Sequence, residues 1–153
     1  MTINKDFEEF LELLNKFNVE YLIVGGYAFA IHAKPRFTKD LDIFIRRSSE
    51  NCKNLIFALN DFGFDSLDLT EDDFLEPNQV IQLGNAPIRI DILTSISGVK
   101  FERAWNNKVI GTYGEQNVNF IGKEDLRTNK LSTGRNSDLE DAKKLKKINE
   151  KNK

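Results

Sequence analysis

Tyr21-Leu22-Ile23-Val24-Gly25-Gly26-Tyr27-Ala28, followed shortly by Thr38-Lys39-Asp40-Leu41-Asp42-Ile43-Phe44-Ile45, is the stretch that decides the fold. Tyr21 to Val24 is an apolar run that stops at a glycine pair, the mark of a short buried strand. From Tyr27 to His32 the chain predicts a short helix, which Pro35 bars from continuing. Leu41, Ile43 and Ile45 then alternate with Asp40, Asp42 and Phe44. That period of two predicts a second strand, its aliphatic face turned to the core and its acidic face elsewhere.

Outward from this unit the periodicities change. Phe7, Phe10, Leu11, Leu14 and Phe17 recur at helical spacing, with Asp6, Glu8, Glu9 and Glu12 on the wet face and in the first turn, and the helix ends near Asn18. Ser48 or Ser49 caps a helix carrying Leu55, Ile56, Leu59 and Phe62, which Gly63 ends. Residues 65 to 78, acidic and with Pro77, read as irregular surface. Val80–Leu83 and Ile88–Leu93 flank Gly84-Asn85, a hairpin signal. In the second arm Ile88, Ile90 and Ile92 share one face, and Arg89 and Asp91 the other. A short helix around Phe101, Ala104 and Trp105 and a small strand over Val118–Ile121 follow. From Lys123 the chain is helical; Ser137 and Glu140 match a capping box, so a fresh helix starts near Asp138 with Leu139, Ala142, Leu145 and Ile148 as its apolar positions.

The 153 residues make one domain, expected over 1–146 with a frayed Lys-rich tail at 147–153. Twenty-two basic and 24 acidic side chains nearly cancel to a net charge of −2, so bulk charge does not support strong nucleic-acid binding, although a local basic patch can exist. One cysteine, Cys52, excludes an intrachain disulfide framework and a Cys-rich zinc site. With His32 the sole histidine, any metal should be a hard cation held by carboxylates. The N-terminus lacks the basic start and apolar run of a secretory signal, and no segment approaches the ~20 apolar residues of a membrane span. A cytoplasmic location and no membrane partner are expected.

Three features carry chemistry. Gly25-Gly26 at a strand-to-helix junction lets backbone approach a ligand and aims N–H groups at an anion such as a phosphate chain; it also reads as a plain tight turn. Asp40 and Asp42 project from one face of a strand, where two like charges are tolerable on a solvated edge or around a divalent cation. Asp91 sits between Ile90 and Ile92. If its strand neighbours the Asp40–Asp42 strand, it joins the pair as third ligand or proton acceptor; otherwise it pairs with Arg89 on its own face.

In that order, Val24-Gly25-Gly26-Tyr27-Ala28, Thr38-Lys39-Asp40-Leu41-Asp42-Ile43 and Ile90-Asp91-Ile92-Leu93 resemble the nucleotidyltransferase superfamily of the DNA polymerase β-like kind, over about residues 7 to 145. The tail, with Asp125-Leu126, Lys130-Leu131, Gly134-Arg135 and Asp138-Leu139-Glu140-Asp141, is similar to small bacterial members. Some of those are toxins of toxin–antitoxin or abortive-infection pairs, and others modify antibiotics. The resemblance implies an α/β (α+β) fold with a mixed sheet of about four to six strands flanked by helices. It implies one Mg²⁺ or two, held by Asp40, Asp42 and Asp91, with Asp91 the base, and a nucleoside triphosphate donor at Gly25 and Gly26. The acceptor hydroxyl belongs to RNA, a protein or a small molecule, and a toxin would bring an antitoxin partner. Many relatives have Gly-Ser where this chain has Gly25-Gly26, which removes a hydroxyl contact to phosphate.

Arg36 and Thr38 match an Arg and a Thr that precede the Asp pair in such relatives, and Lys130 resembles a lysine that faces the nucleotide. Arg36 can clamp a phosphate or stand exposed in a loop, and Lys130 can face the nucleotide or solvent. Asp138 suits a helix dipole and Asp141 a pair with Lys144; His32 reads as structural or solvated, and Trp105 as core. Two other readings share the carboxylates: an inactive nucleotide- or protein-binding module, and a metal-dependent hydrolase.

Overall fold

The computed structural model describes residues 2–84 and 89–151, with the side chains of Ser66 and of 147–151 left out. Helix α1, Lys5–Lys16, starts where the Asn4 side chain accepts from the Asp6 and Phe7 N–H groups, and it buries Phe7, Phe10, Leu11 and Leu14. Strand β1, Tyr21–Val24, is buried throughout and runs straight into α2, Gly25–His32. Strand β2, Asp40–Ile45, hides Leu41, Ile43 and Ile45 completely. Helix α3, Ser49–Phe62, is capped by Ser48 and stopped by Gly63 in the left-handed region, φ 104°.

The acidic segment 65–78 departs from the irregular surface expected of it. A 3₁₀ turn, Asp65–Leu67, precedes α4, Glu71–Leu75, whose start is fixed by the Asp73 carboxylate accepting from the Thr70 N–H. Phe74 anchors it in the core. One buried ring in so acidic a stretch leaves no readable period.

Strand β3, Val80–Leu83, pairs antiparallel with β4, Arg89–Leu93, as the hairpin signal predicts; turn residues 85–88 lie outside the described residues. After α5, Phe101–Asn106, an unexpected strand β5, Val109–Tyr113, forms a hairpin with β6, Gln116–Phe120. Val109 and Ile110 are exposed on this edge, so β5 has no apolar alternation to read. Helix α6, Lys123–Thr133, packs on α7, Asn136–Lys151. Because α7 begins at Asn136, Ser137 lies inside it and the expected Ser137–Glu140 capping box does not form. The backbone is helical to Lys151, while the side chains from 147 and all of 152–153, where fraying is expected, lie outside the described residues.

The six strands make one mixed sheet, ordered β3-β4-β2-β1-β6-β5. Strand β2 runs parallel to β4 and antiparallel to β1, and β1 runs parallel to β6. One hydrophobic cluster extends from Phe7 to Leu145. Among the described residues no helix is long and apolar enough to cross a membrane.

Candidate active site

The parallel pairing of β2 with β4 brings the acidic residues together. Asp42 lies opposite Asp91, and Asp40 lies opposite Arg89. Partners in register project from the same face, so Asp40, Asp42 and Asp91 share the face opposite Leu41 and Ile43. On the other side of β2, Val24 lies opposite Asp42, which delivers Gly25 to the same carboxylate. Gly25 has φ +67°, and a Cβ there would stand 2.1 Å from Asp42 Oδ2. Only glycine fits a backbone so close to the acid. No side chain caps the first turn of α2, which leaves its N–H groups facing this corner.

At Gly26 the Thr38 side chain crowds the place a side chain would take. A Cβ there would meet Thr38 Cγ2 at 2.8 Å and Thr38 Oγ1 at 3.0 Å. A serine at this position would require the Thr38 side chain to shift, and the Thr38 hydroxyl lies beside Gly26. Tyr27 donates its O–H to the Thr38 carbonyl at 3.3 Å, which ties this turn to α2. A cleft of about 620 Å³ opens beside it, lined by Phe7, Tyr27, Arg36, Phe37, Thr38 and Lys39 among others.

Asp91 has both of the expected neighbours. It joins the other two acids, and it is also paired with Arg89, whose Nε donates to Asp91 Oδ1 at 2.8 Å. Arg89 Nη2 donates to Asp91 Oδ2 and to Asp40 Oδ2, each at 3.2 Å. Among the described residues Asp42 has no such partner. Burial, then Asp91, then Asp40 push its carboxyl from an ordinary 3.8 up to about 7, against weaker opposing pulls from Arg89 and Lys130.

Among the described residues no group of three or more His, Cys, Asp or Glu side chains is arranged to hold a metal ion. Arg89 stands on two of the three carboxylates instead. The donor set nevertheless suits a hard divalent cation: it is all carboxylate oxygen, and Asp42 carries a charge that its neighbours repel.

Lys130 is buried, whereas Arg36 is exposed but paired. Arg36 donates through both terminal nitrogens to the Asp141 carboxylate, each at 3.0 Å, and its guanidinium lies 4.1 Å from the Phe29 ring centre. Lys130 is buried between Asp138 at 3.2 Å and Asp141 at 3.0 Å. Asp138 also accepts from Thr133 at 2.7 Å and Arg135 at 2.8 Å. Burial alone would raise both acids, but these donors outweigh it and hold both below the ordinary carboxylate range. The expected Asp141–Lys144 pair gives way to this network because α7 turns Asp138, Asp141, Ala142 and Leu145 inward onto α6. That stripe, at i, i+3, i+4 and i+7, was the available signal. His32 is structural: its Nε2 lies 2.7 Å from the Ile121 carbonyl, and burial lowers its basicity. Trp105 is partly buried and stacks on Phe101.

Comparison with known proteins decides the family. Residues 1–151 match a family described as nucleotidyltransferase of unknown function (DUF6036). The chain belongs to this family. No curated protein matches it significantly. Among solved structures it is similar to an antigenic nucleotidyltransferase-like protein from Paracoccidioides brasiliensis, at 14% identity and a TM-score of 0.54, over 92% of this chain and 74% of that one. At that identity the likeness speaks for the fold alone. The nucleotidyltransferase-like fold thus agrees with the mixed sheet flanked by helices.

Proposed function

We propose that this chain transfers a nucleoside monophosphate from a nucleoside triphosphate to an acceptor hydroxyl, with Mg²⁺ as the metal. The observation that carries the reading is the β2–β4 register, which sets Asp42 against Asp91 beside a glycine that only a side-chain-free residue can occupy. Asp40, Asp42 and Asp91 would hold the cation. When bound, it neutralises phosphate charge and stabilises the charge that develops in transfer. The Gly25 and Gly26 N–H groups bind the triphosphate at the start of α2, with the Thr38 hydroxyl in place of the absent serine. Arg36, exposed and held by Asp141, would meet phosphate from the rim, while Lys130 is held in the interior by Asp138 and Asp141.

The acceptor oxygen attacks the α-phosphorus and forms the new P–O bond. The bond to the β-phosphate oxygen breaks, and pyrophosphate leaves. Asp91 takes the acceptor's proton on a carboxylate oxygen. Positioning of the two substrates supplies most of the rate.

Triphosphates labelled at the α-phosphate, incubated with Mg²⁺ and RNA, protein or small-molecule acceptors, test this. Transfer of label with release of pyrophosphate, lost in Asp42→Asn, is the expected result. Transfer undiminished in Asp42→Asn would overturn it. One observation favours a second reading, a binding module without turnover: Arg89 already engages two of the three carboxylates. That module would bind triphosphate and release no pyrophosphate with any acceptor.

A further inference from the structure

Arg89 has no part in the proposed transfer, yet among the described residues it is the cation bonded directly to the acid cluster. Its guanidinium makes three hydrogen bonds across two strands, two to Asp91 and one to Asp40, at 2.8 to 3.2 Å. The register makes this possible, since Arg89 stands opposite Asp40 and two residues before Asp91 on one face. The planar fork of an arginine matches carboxylate pairs of this kind. A divalent cation bound by Asp40 and Asp91 needs the same oxygen lone pairs. Arg89 and the cation therefore compete for one place.

We propose that Arg89 is the exchangeable counter-ion of the acid cluster. It holds Asp40 and Asp91 in the metal-free protein, leaves them when a divalent cation enters, and thereby makes the cation alone a weak ligand. The inference rests on the metal-site reading above. The side chain has room to leave, being 31% exposed, and the Asp40 side chain is 36% exposed. A triphosphate seated on Gly25 and Gly26 offers the released guanidinium a new anion. Cation and triphosphate then bind cooperatively, because each lowers the cost of moving Arg89 for the other. On this account Arg89 sets when Asp91 is free to accept a proton.

Mn²⁺ titration followed by electron paramagnetic resonance, without nucleotide, tests the exchange in wild type, Arg89→Gln and Lys39→Gln. Lys39 is an exposed cation beside Asp40 in sequence that makes none of these bonds, so it reports long-range charge alone. Arg89→Gln should bind Mn²⁺ roughly tenfold tighter than wild type. Lys39→Gln should stay close to wild type. A non-hydrolysable ATP analogue should tighten Mn²⁺ in wild type and do so much less in Arg89→Gln. Unchanged or weaker Mn²⁺ binding in Arg89→Gln overturns the inference, and so does equal tightening in Lys39→Gln. Thermal melts verify folding; if Arg89→Gln does not fold, Arg89→Lys replaces it, since one ammonium cannot reproduce the fork, and the same direction is required. Absence of Mn²⁺ binding in every form would overturn the metal-site reading as well, whereas equal binding in all forms overturns only the exchange.

Discussion

Gly25 joins local backbone geometry to the acid cluster. Its positive φ and the 2.1 Å approach of Asp42 Oδ2 to a would-be Cβ are separate obstacles to a side chain. Gly25→Ala should therefore cost at least about 1–2 kcal/mol from backbone strain, with displacement of Asp42 added. Denaturant unfolding measures the loss. Asp42 makes the opposite prediction. Its native pKa is raised from 3.8 to about 7, so between those values the folded protein holds a proton that the unfolded chain has released. Metal-free stability then falls as pH rises through that window. Asp42→Asn should remove this slope and make the metal-free protein more stable than wild type above pH 7, as thermal melts across pH would show. The sequence showed Asp40, Asp42 and Asp91 as a candidate set because strand alternation is a local property. It could not show that Thr38 fills the space beside Gly26, since that contact depends on how the turn 33–39 folds over α2.

At the scale of elements, α7 is the part whose role sequence reading assigned differently. Asp138 and Asp141 read as a dipole partner and a surface pair, whereas α7 presents both to Lys130 and Arg36. Local spacing can reveal a one-sided stripe but not which helix it meets, and here that partner is α6. Lys130 is buried between two carboxylates, so removing Asp141 leaves its interior charge with Asp138 alone. Asp141→Ala should destabilise by roughly 1–3 kcal/mol, below the ~3–5 kcal/mol typical of breaking a buried pair, because Asp138 still pairs with Lys130 and the released Arg36 reaches solvent. Glu140→Ala, which loses an exposed pair with Lys143 at 3.3 Å, should cost about 0–1 kcal/mol. Urea unfolding of the two variants side by side checks the contrast. Strand β5 and helix α4 escaped the sequence reading for a related reason. Each is short and has little apolar surface facing inward, so tertiary pairing rather than periodicity creates it.

For the whole molecule, the sheet order places the β1–α2 junction, the acidic end of β2 and the start of β4 side by side, so one corner gathers the glycine pair and all three acids. This arrangement was legible because each piece carries its own signal: an apolar run stopped by glycines, an alternating Asp-x-Asp strand and a hairpin. The closing contacts, Arg89 across two strands and α7 against the rim, join distant or cross-strand residues and have no local signature. The family and the fold fit a nucleotidyltransferase, and the central claim is that the acid cluster binds a metal–triphosphate pair. Calorimetric titration of each nucleoside triphosphate, with and without Mg²⁺, into wild type and Asp42→Asn tests that most directly. Binding that requires Mg²⁺ and disappears in a folded Asp42→Asn is the predicted result. Absence of Mg²⁺-dependent binding for every triphosphate, or binding undiminished in Asp42→Asn, would contradict it.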